Sequence, residues 1–412
     1  MLLTHLSLTN FRNFTRLDLD FPGRAILLVG SNAQGKTSLL EAVYFLAAFT
    51  SFQTHIDRQM VNFLAAREPL AVARLVAEYQ RAGTQHKLEV RLILEPNGMT
   101  GQRLRKEVLL DGLKRPLAEV IGHFNAVVFV PQMSLIIEGG PDERRRYLNL
   151  ALAQASPTYA RALSEYAQVV TQRNALLKQL NERNGDPGQL SFWDTSLSQL
   201  GSQIMYERIQ ALQELERLAA RIHQQLTRSS EVFRLNYLPS FEPLARPQGQ
   251  ISLPIQTQLD RSKLNVEEIH SRFLKRLGEV RGEEISRGIT TLGPHRDELR
   301  LLANNVDLGD YGSRGQGRTA LLALKLAEVE WMRDRTGQWP VILLDEVLAE
   351  LDVQRRSDLL DHLDQCEQTL LTTTDLALYK PGFISQATCW QVSRGQIEDL
   401  SVKGDGHDGQ EY

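Results

Sequence analysis

The sequence predicts an α/β fold: a core of parallel strands and helices, interrupted by a section of antiparallel strands and then by a compact helical lobe. Three observations lead to it. The apolar burst Ala25-Ile26-Leu27-Leu28-Val29 runs directly into a glycine-bounded loop and a helical pattern. A second burst, Val341-Ile342-Leu343-Leu344, lies about three hundred residues later and ends in Asp345-Glu346. Between them the hydrophobic period passes from two to about 3.6 and back again.

Taken in order, residues 2 to 29 alternate apolar and polar positions in short runs and close on the buried strand 25–29. Leu39, Leu40, Val43, Tyr44 and Leu46 then repeat at helical spacing over 37–48, with Glu41 outside the stripe. From about 70 to 130, turn signals at Arg81-Ala82-Gly83, Pro96-Asn97-Gly98 and Asp111-Gly112 predict an antiparallel meander. Residues 142 to 226 read as helical. Tyr159, Leu163, Tyr166, Val170, Leu177 and Leu180 hold a heptad-like spacing that Arg173 breaks, a short arm and not a long coiled coil. Pro239, Pro243, Pro247 and Pro254 mark an extended connection over 238–263. Strands resume after Thr290, a helix is expected over 320–332, and the polar, glycine-bearing residues 401–412 are expected to be a disordered tail. The resulting division is 1–140, 141–280 for the helical lobe, 281–400, and the tail 401–412.

Composition narrows the function classes. With 412 residues, 42% hydrophobic and 24% charged, the chain is long enough for two or three packed units. Its formal net charge of -3 means that any nucleic-acid contact rests on a local patch. Two cysteines, Cys366 and Cys389, without a Cys-x-x-Cys pair, support neither a disulfide framework nor a thiolate zinc site, and fit a reducing cytoplasm. Thr4, His5, Asn10, Arg12 and Asn13 interrupt the N-terminal apolar residues, which is unlike a signal peptide. No run approaches the roughly 18 to 20 apolar residues of a membrane span, so a soluble protein without a membrane partner is expected.

The loop Gly30-Ser31-Asn32-Ala33-Gln34-Gly35-Lys36-Thr37 has the P-loop spacing, between a strand and a helix as that motif requires. Its glycines let backbone N–H groups approach phosphate oxygens, and the helix N-terminus adds positive partial charge. Lys36 is expected at the β- and γ-phosphates of ATP and Thr37 on Mg²⁺. Asp345-Glu346, at the end of the second apolar strand, reads as a Walker B pair: Asp345 in the Mg²⁺ shell, Glu346 positioning the attacking water as general base. Ser313-Arg314-Gly315-Gln316 opens a helix, and its hydroxyl and N-terminal amides form a second anion cradle. Alone that string would equally suit a simple helix cap. Two cradles suit a head-to-tail dimer, each second cradle closing on the γ-phosphate held by the other protomer.

Walker A, an S-x-G-Q signature and Walker B in this order resemble an ABC-type ATPase head of the SMC/Rad family: a P-loop core with an antiparallel β subdomain, here joined to a compact helical lobe. Further strings narrow the resemblance to the bacterial RecF recombination mediator family. They are Phe11-Arg12-Asn13-Phe14, Pro141-Asp142-Glu143-Arg144-Arg145-Arg146-Tyr147-Leu148, Gln172-Arg173-Asn174, Phe192-Trp193-Asp194 and Gly293-Pro294-His295-Arg296-Asp297. The resemblance implies an ATP-dependent homodimer on single-stranded DNA and single-strand/double-strand junctions. It further implies that hydrolysis separates the copies, RecO and RecR as partners, and a role in recombinase loading, repair and SOS induction; the split Walker motifs and the S-x-G-Q loop lead us to expect that hydrolysis to be slow. It places Gln132 at the Q-loop position, near Mg²⁺ or the water. Leu351-Asp352 falls at the interface-crossing D-loop and Thr373-Thr374-Asp375 at the switch position. Ser31 departs from the family pattern where contact is through backbone; Gln53 departs where relatives carry arginine.

For DNA contact the candidates are the run Arg103, Arg105, Lys106, Lys114 and Arg115, and Arg144 with Arg145 and Arg146; such a cluster is more usually a solvated face. Two other classes compete with the DNA-binding ATPase. A transporter-type ATPase would carry L-S-G-G-Q, a switch histidine and a shorter gap between P-loop and signature, none of which is present. A nucleotide-dependent scaffold without significant hydrolysis differs only in turnover.

Overall fold

Leu3, Leu6, Leu8 and Phe11 are fully buried along the strand Leu2–Phe11, and the step from Leu3 to Leu6 breaks strict alternation. The cause is a register shift between Leu3 and His5, where one extra residue moves the following side chains to the opposite face. In this computed structural model, which describes residues 1–97, 101–183, 185–244 and 259–400, that strand belongs to a six-stranded antiparallel sheet. Its order is Phe14–Asp20, Leu2–Phe11, Ala71–Arg81, Thr84–Asn97, Gly101–Leu110 and Leu113–Lys114. Two of the expected turns close hairpins in it: Ala82 and Gly83, and Asp111 and Gly112, all have positive φ, which matches the right-handed twist of the flanking strands. The third, at Pro96-Asn97-Gly98, runs into residues outside the described ones.

The second sheet is the core. Ala126–Phe129, Val341–Asp345, Thr369–Thr373, Ala25–Val29 and Thr388–Ser393 lie side by side and parallel, and Gln396–Asp399 closes the edge as a hairpin partner. The strands Val341–Asp345 and Thr369–Thr373 are buried at every residue, as parallel strands covered on both faces must be. The parallel register brings the C-terminal ends of Ala25–Val29 and Val341–Asp345 to one edge, one strand apart, so residues about three hundred apart in sequence share a site.

Packing divides the chain into two units: Met1–Met133 together with the chain from Glu328 onward, and Ser134–Ala327. Residues 281–327, assigned from sequence to the C-terminal half of the head, pack with the helical lobe. Glu298–Ala303 pairs with Phe233–Leu238, and buried Arg208 reaches Asp297. The lobe holds the helices Pro141–Ala155, Pro157–Arg183, Leu190–Leu226 and Val266–Arg287, with the longest spanning 37 residues, so the arm is short as expected. The helix expected over 320–332 is Arg314–Thr336, longer at both ends. The proline-rich connection lies largely, and the tail 401–412 wholly, outside the described residues.

Candidate nucleotide site

The loop Gly30–Thr37 leaves the strand Ala25–Val29 and enters the helix Lys36–Ala48 through Gly35, whose φ of 115° is open to glycine and strained for other residues. A Cβ on Gly35 would also stand 2.5 Å from the Asn13 side-chain nitrogen. Lys36 is 3% exposed. Its ammonium donates to the carbonyls of Gly30 at 2.7 Å and Ser31 at 3.1 Å and lies 3.1 Å from a Glu346 carboxylate oxygen. The loop thus keeps a buried cation at its centre, with its charge matched by one acid.

Thr37 and Asp345 meet directly: Thr37 Oγ1 donates to Asp345 Oδ1 at 2.9 Å. A third residue, missed from sequence, completes the group. Thr372 donates its hydroxyl to the same oxygen at 2.8 Å and accepts from the Glu346 N–H at 3.0 Å. Burial pushes the Asp345 carboxyl above its ordinary value, opposed by the two threonine hydrogen bonds. Glu346 itself sits at φ 55°, a left-handed conformation uncommon outside glycine, and turns its half-exposed side chain toward Lys36. In the sequence Thr372 is one of three threonines in the strand Thr369–Thr373, and nothing local separates it from the other two.

Gln132 is exposed on the turn Pro131–Ser134, which follows the strand Ala126–Phe129 beside Val341–Asp345. Arg12, in the family string near the N-terminus, makes a bidentate pair with fully buried Glu41 at 2.6 and 2.7 Å, and Ser51 also bonds Glu41. Gln53 donates its N–H to Ser51 Oγ. Thr373 accepts the Gly30 N–H through its carbonyl at 3.3 Å, so the switch position holds the first residue of the loop. Asp352 caps the helix Val353–Leu363 by accepting from Arg355 N–H at 2.9 Å.

Ser313, Gly315 and Gln316 belong to the other unit. Ser313 Oγ accepts the Gln316 N–H at 3.2 Å, and Gln316 Oε1 accepts the Ser313 N–H at 3.0 Å, a reciprocal capping pair that starts the helix at Arg314 despite two early glycines. Gln316 also donates to Glu231 at 2.8 Å.

The basic candidates separate on geometry. Arg103 and Arg105 are exposed, Arg105 with Glu107 and Glu95 as partners. Lys106 turns inward, bonding the Phe49 carbonyl at 2.6 Å and Asp57 at 3.0 Å. Lys114 pairs with Glu107 at 2.7 Å. Arg144 is bidentate to Glu298 at 2.8 and 2.9 Å, and Arg145 bonds the Asp297 carbonyl at 2.7 Å and Asp142 at 2.5 Å. Arg144 and Arg145 therefore brace the start of the lobe's own strand Glu298–Ala303.

The remaining family strings form buried polar networks in the lobe. Arg173, fully buried, donates to Asp194 at 2.9 Å, Glu284 at 2.6 Å and Thr290 at 2.9 Å. Arg208 donates to Asp297 at 3.0 Å, Asn149 at 2.9 Å and the Pro294 carbonyl at 2.7 Å. His295 lies 2.8 Å from the Tyr166 hydroxyl, and burial lowers its pKa to about 4. Gly293, at φ 123°, allows that contact, since a Cβ there would stand 2.1 Å from the Tyr166 oxygen.

These strings have physical roles in both units, in agreement with the likeness of the whole chain to known proteins. The family model described as RecF/RecN/SMC N terminal domain matches residues 2–383. The chain is 35% identical over 403 residues to the DNA replication and repair protein RecF of Exiguobacterium sp., covering 98% of this chain and 100% of the relative. It belongs to the RecF family. To the protein of the same name in Synechococcus sp. it is 38% identical over 408 residues, again covering 98% and 100%. A solved structure of the recombination mediator protein RecF with ATPrS superposes with a TM-score of 0.80 at 28% identity, over 97% of this chain and 98% of that one. The ABC-type head with a compact helical lobe and no long coiled coil is thus the RecF-family fold.

Proposed function

We propose that this RecF-family protein is an ATP-dependent, DNA-binding recombination mediator. ATP drives two copies together head to tail on single-stranded or gapped DNA, and slow hydrolysis releases them, in support of recombinase loading during repair, replication restart and the SOS response. The observation that carries this reading is the convergence of Lys36, Thr37, Asp345 and Glu346 on one edge of the parallel sheet. In it, Lys36 exchanges its loop carbonyls and Glu346 for β- and γ-phosphate oxygens, while the 30–37 amides cradle the phosphates. Glu346, released from Lys36, orients water as general base, and Gln132 approaches from the neighbouring strand end.

Mg²⁺ fits the donors present: a hydroxyl and a carboxylate oxygen 2.9 Å apart are hard oxygen ligands of the kind that ion takes alongside substrate phosphates. Thr37 and Asp345 would hold it, with Gln132 nearby, and it would neutralise phosphate charge. Ser313, Gly315 and Gln316 present a helix N-terminus for the partner's γ-phosphate. Arg103 is the open cation for DNA phosphate, and Arg105 is exposed but would have to leave Glu107 and Glu95; Lys106, Arg144 and Arg145 are already committed internally. RecR and RecO are the proposed partners, supported by the likeness to a RecF structure described in the RecFOR pathway. A cytoplasmic location is proposed from the likeness to DNA replication and repair proteins; among the described residues no helix is long and apolar enough to cross a membrane.

The test is the mass of the protein with and without ATP and gapped DNA for the parent, Lys36→Met, Ser313→Arg and Glu346→Gln. The expected result is an ATP-dependent dimer in the parent, none in the first two variants, and a longer-lived dimer in the third. Full dimerisation of Ser313→Arg sinks the shared-site reading. Arg103→Glu with Arg105→Glu should lower the log–log salt slope of DNA binding by close to one unit for each phosphate no longer neutralised.

A further inference from the structure

The hairpin formed by Thr388–Ser393 and Gln396–Asp399 is built around the phosphate loop, and no motif announces it. Its turn reaches Gln34 twice: the Arg394 N–H donates to Gln34 Oε1 at 2.8 Å, and the Gly395 N–H donates to the Gln34 carbonyl at 3.0 Å. The strand before it passes so close to the loop that a Cβ on Gly30 would stand 2.4 Å from the Val392 carbonyl oxygen. Asn13 lies on the same spot, 3.6 Å from where a Gly395 Cβ would be.

The turn residue is unusual for its place. Arg394 has φ 50°, where Asn or Gly is the ordinary choice, yet the chain puts a long cation there. Its side chain is exposed, and among the described residues its guanidinium has no acceptor. Lys36, by contrast, is the buried cation of the same loop and already has three partners. We infer that Arg394 is a nucleotide-binding residue: its backbone locks Gln34 and so the outer half of the loop, and its guanidinium donates to the phosphate chain of the bound nucleotide. This rests on the reading of residues 30–37 as an ATP site.

Glycine at 394 accepts the left-handed turn and keeps the N–H that docks on Gln34, so Arg394→Gly removes the guanidinium alone. Equilibrium binding of ATP and of ADP, each with Mg²⁺, is measured on the full chain for the parent, Arg394→Gly, Arg394→Lys, Gln34→Ala and Lys36→Met, with melting temperature as a parallel readout. Removal of a charge-assisted hydrogen bond to phosphate predicts an affinity about tenfold weaker for Arg394→Gly, with a shallower salt dependence and an unchanged melting temperature. Arg394→Lys should recover part of the affinity and the full salt slope. Gln34→Ala, which removes the acceptor of the Arg394 N–H and leaves that of Gly395, should also weaken binding. ATP affinity of Arg394→Gly within twofold of the parent, at an equal salt slope, overturns the proposal. If the parent fails to bind ATP, or Lys36→Met binds it equally well, the underlying ATP site falls instead.

Discussion

The ammonium of Lys36 and the carboxylate of Glu346 lie 3.1 Å apart, so the cation of the phosphate loop and the acid after the Walker B strand neutralise each other. A phosphate can take Lys36 only by displacing Glu346. The competition is modest because the Glu346 side chain is 37% exposed, and a pair so placed is screened. Glu346→Gln should therefore tighten ATP binding, by roughly two- to fivefold, and, on the proposal that Glu346 is the general base, turnover should fall by roughly a hundredfold or more. Nucleotide titration together with steady-state phosphate release checks both arms. Weaker ATP binding in Glu346→Gln would show that the pair holds Lys36 in place and does not compete with phosphate.

Arg173 sits between Asp194 and Glu284 with no exposure, and Arg281 holds the second oxygen of Asp194 at 2.7 Å. Removing the central cation leaves two carboxylates facing each other in a dry interior. Arg173→Met should destabilise the protein by about 3–5 kcal/mol. Replacing Arg173, Asp194 and Glu284 together with apolar residues of similar volume should recover much of that loss. Urea unfolding measures both, and a single-variant cost under about 1 kcal/mol would mean that water reaches the network.

His295 sets a pH dependence whose sign follows from its burial. Its pKa falls from the ordinary 6.5 to about 4 in the folded protein, so the unfolded chain takes up a proton first on acidification. The stability it contributes is fully present above about pH 6.5 and is lost as pH falls toward 4, at up to about 1.4 kcal/mol per pH unit. His295→Gln can still accept from or donate to Tyr166 but does not titrate. Its urea midpoint should fall less than the parent's between pH 7 and 5, and equal falls would place the acid sensitivity elsewhere.

How far the sequence revealed this molecule depended on whether a residue acts through chain neighbours or across the fold. The loop 30–37 and Asp345-Glu346 were legible because spacing, apolar strand and helix all lie within a few residues of the chemistry. Thr372 was not, since one threonine among three in the strand Thr369–Thr373 reads as β-branched filling until the parallel register puts it beside Asp345. Arg173 looked like an interruption of a heptad because its acidic partners are 21 and 111 residues away. Arg144 and Arg145 read as an open basic run for the same reason, their acceptors Glu298 and Asp297 lying some 150 residues further on. The early start of the helix at Arg314 was missed because Gly315 and Gly317 argue for a loop, while a local capping pair outweighs them.

Ser313 gives the last prediction, because its hydroxyl has two candidate roles that one series of variants separates. In the structure it caps the helix Arg314–Thr336, and Ser313→Ala should cost about 1 kcal/mol by exposing an unsatisfied N–H in the first turn. Threonine keeps a capping hydroxyl, so Ser313→Thr should unfold close to the parent. If the hydroxyl also meets the partner's γ-phosphate, Ser313→Ala will lose ATP-dependent dimer well beyond what its stability loss explains, while Ser313→Thr keeps most of it. Light-scattering mass with ATP, read beside urea unfolding of the same samples, distinguishes the two. A Ser313→Ala protein that is about 1 kcal/mol less stable yet dimerises like the parent would make this serine a helix cap alone and move the γ-phosphate contact to the backbone amides of Gly315 and its neighbours.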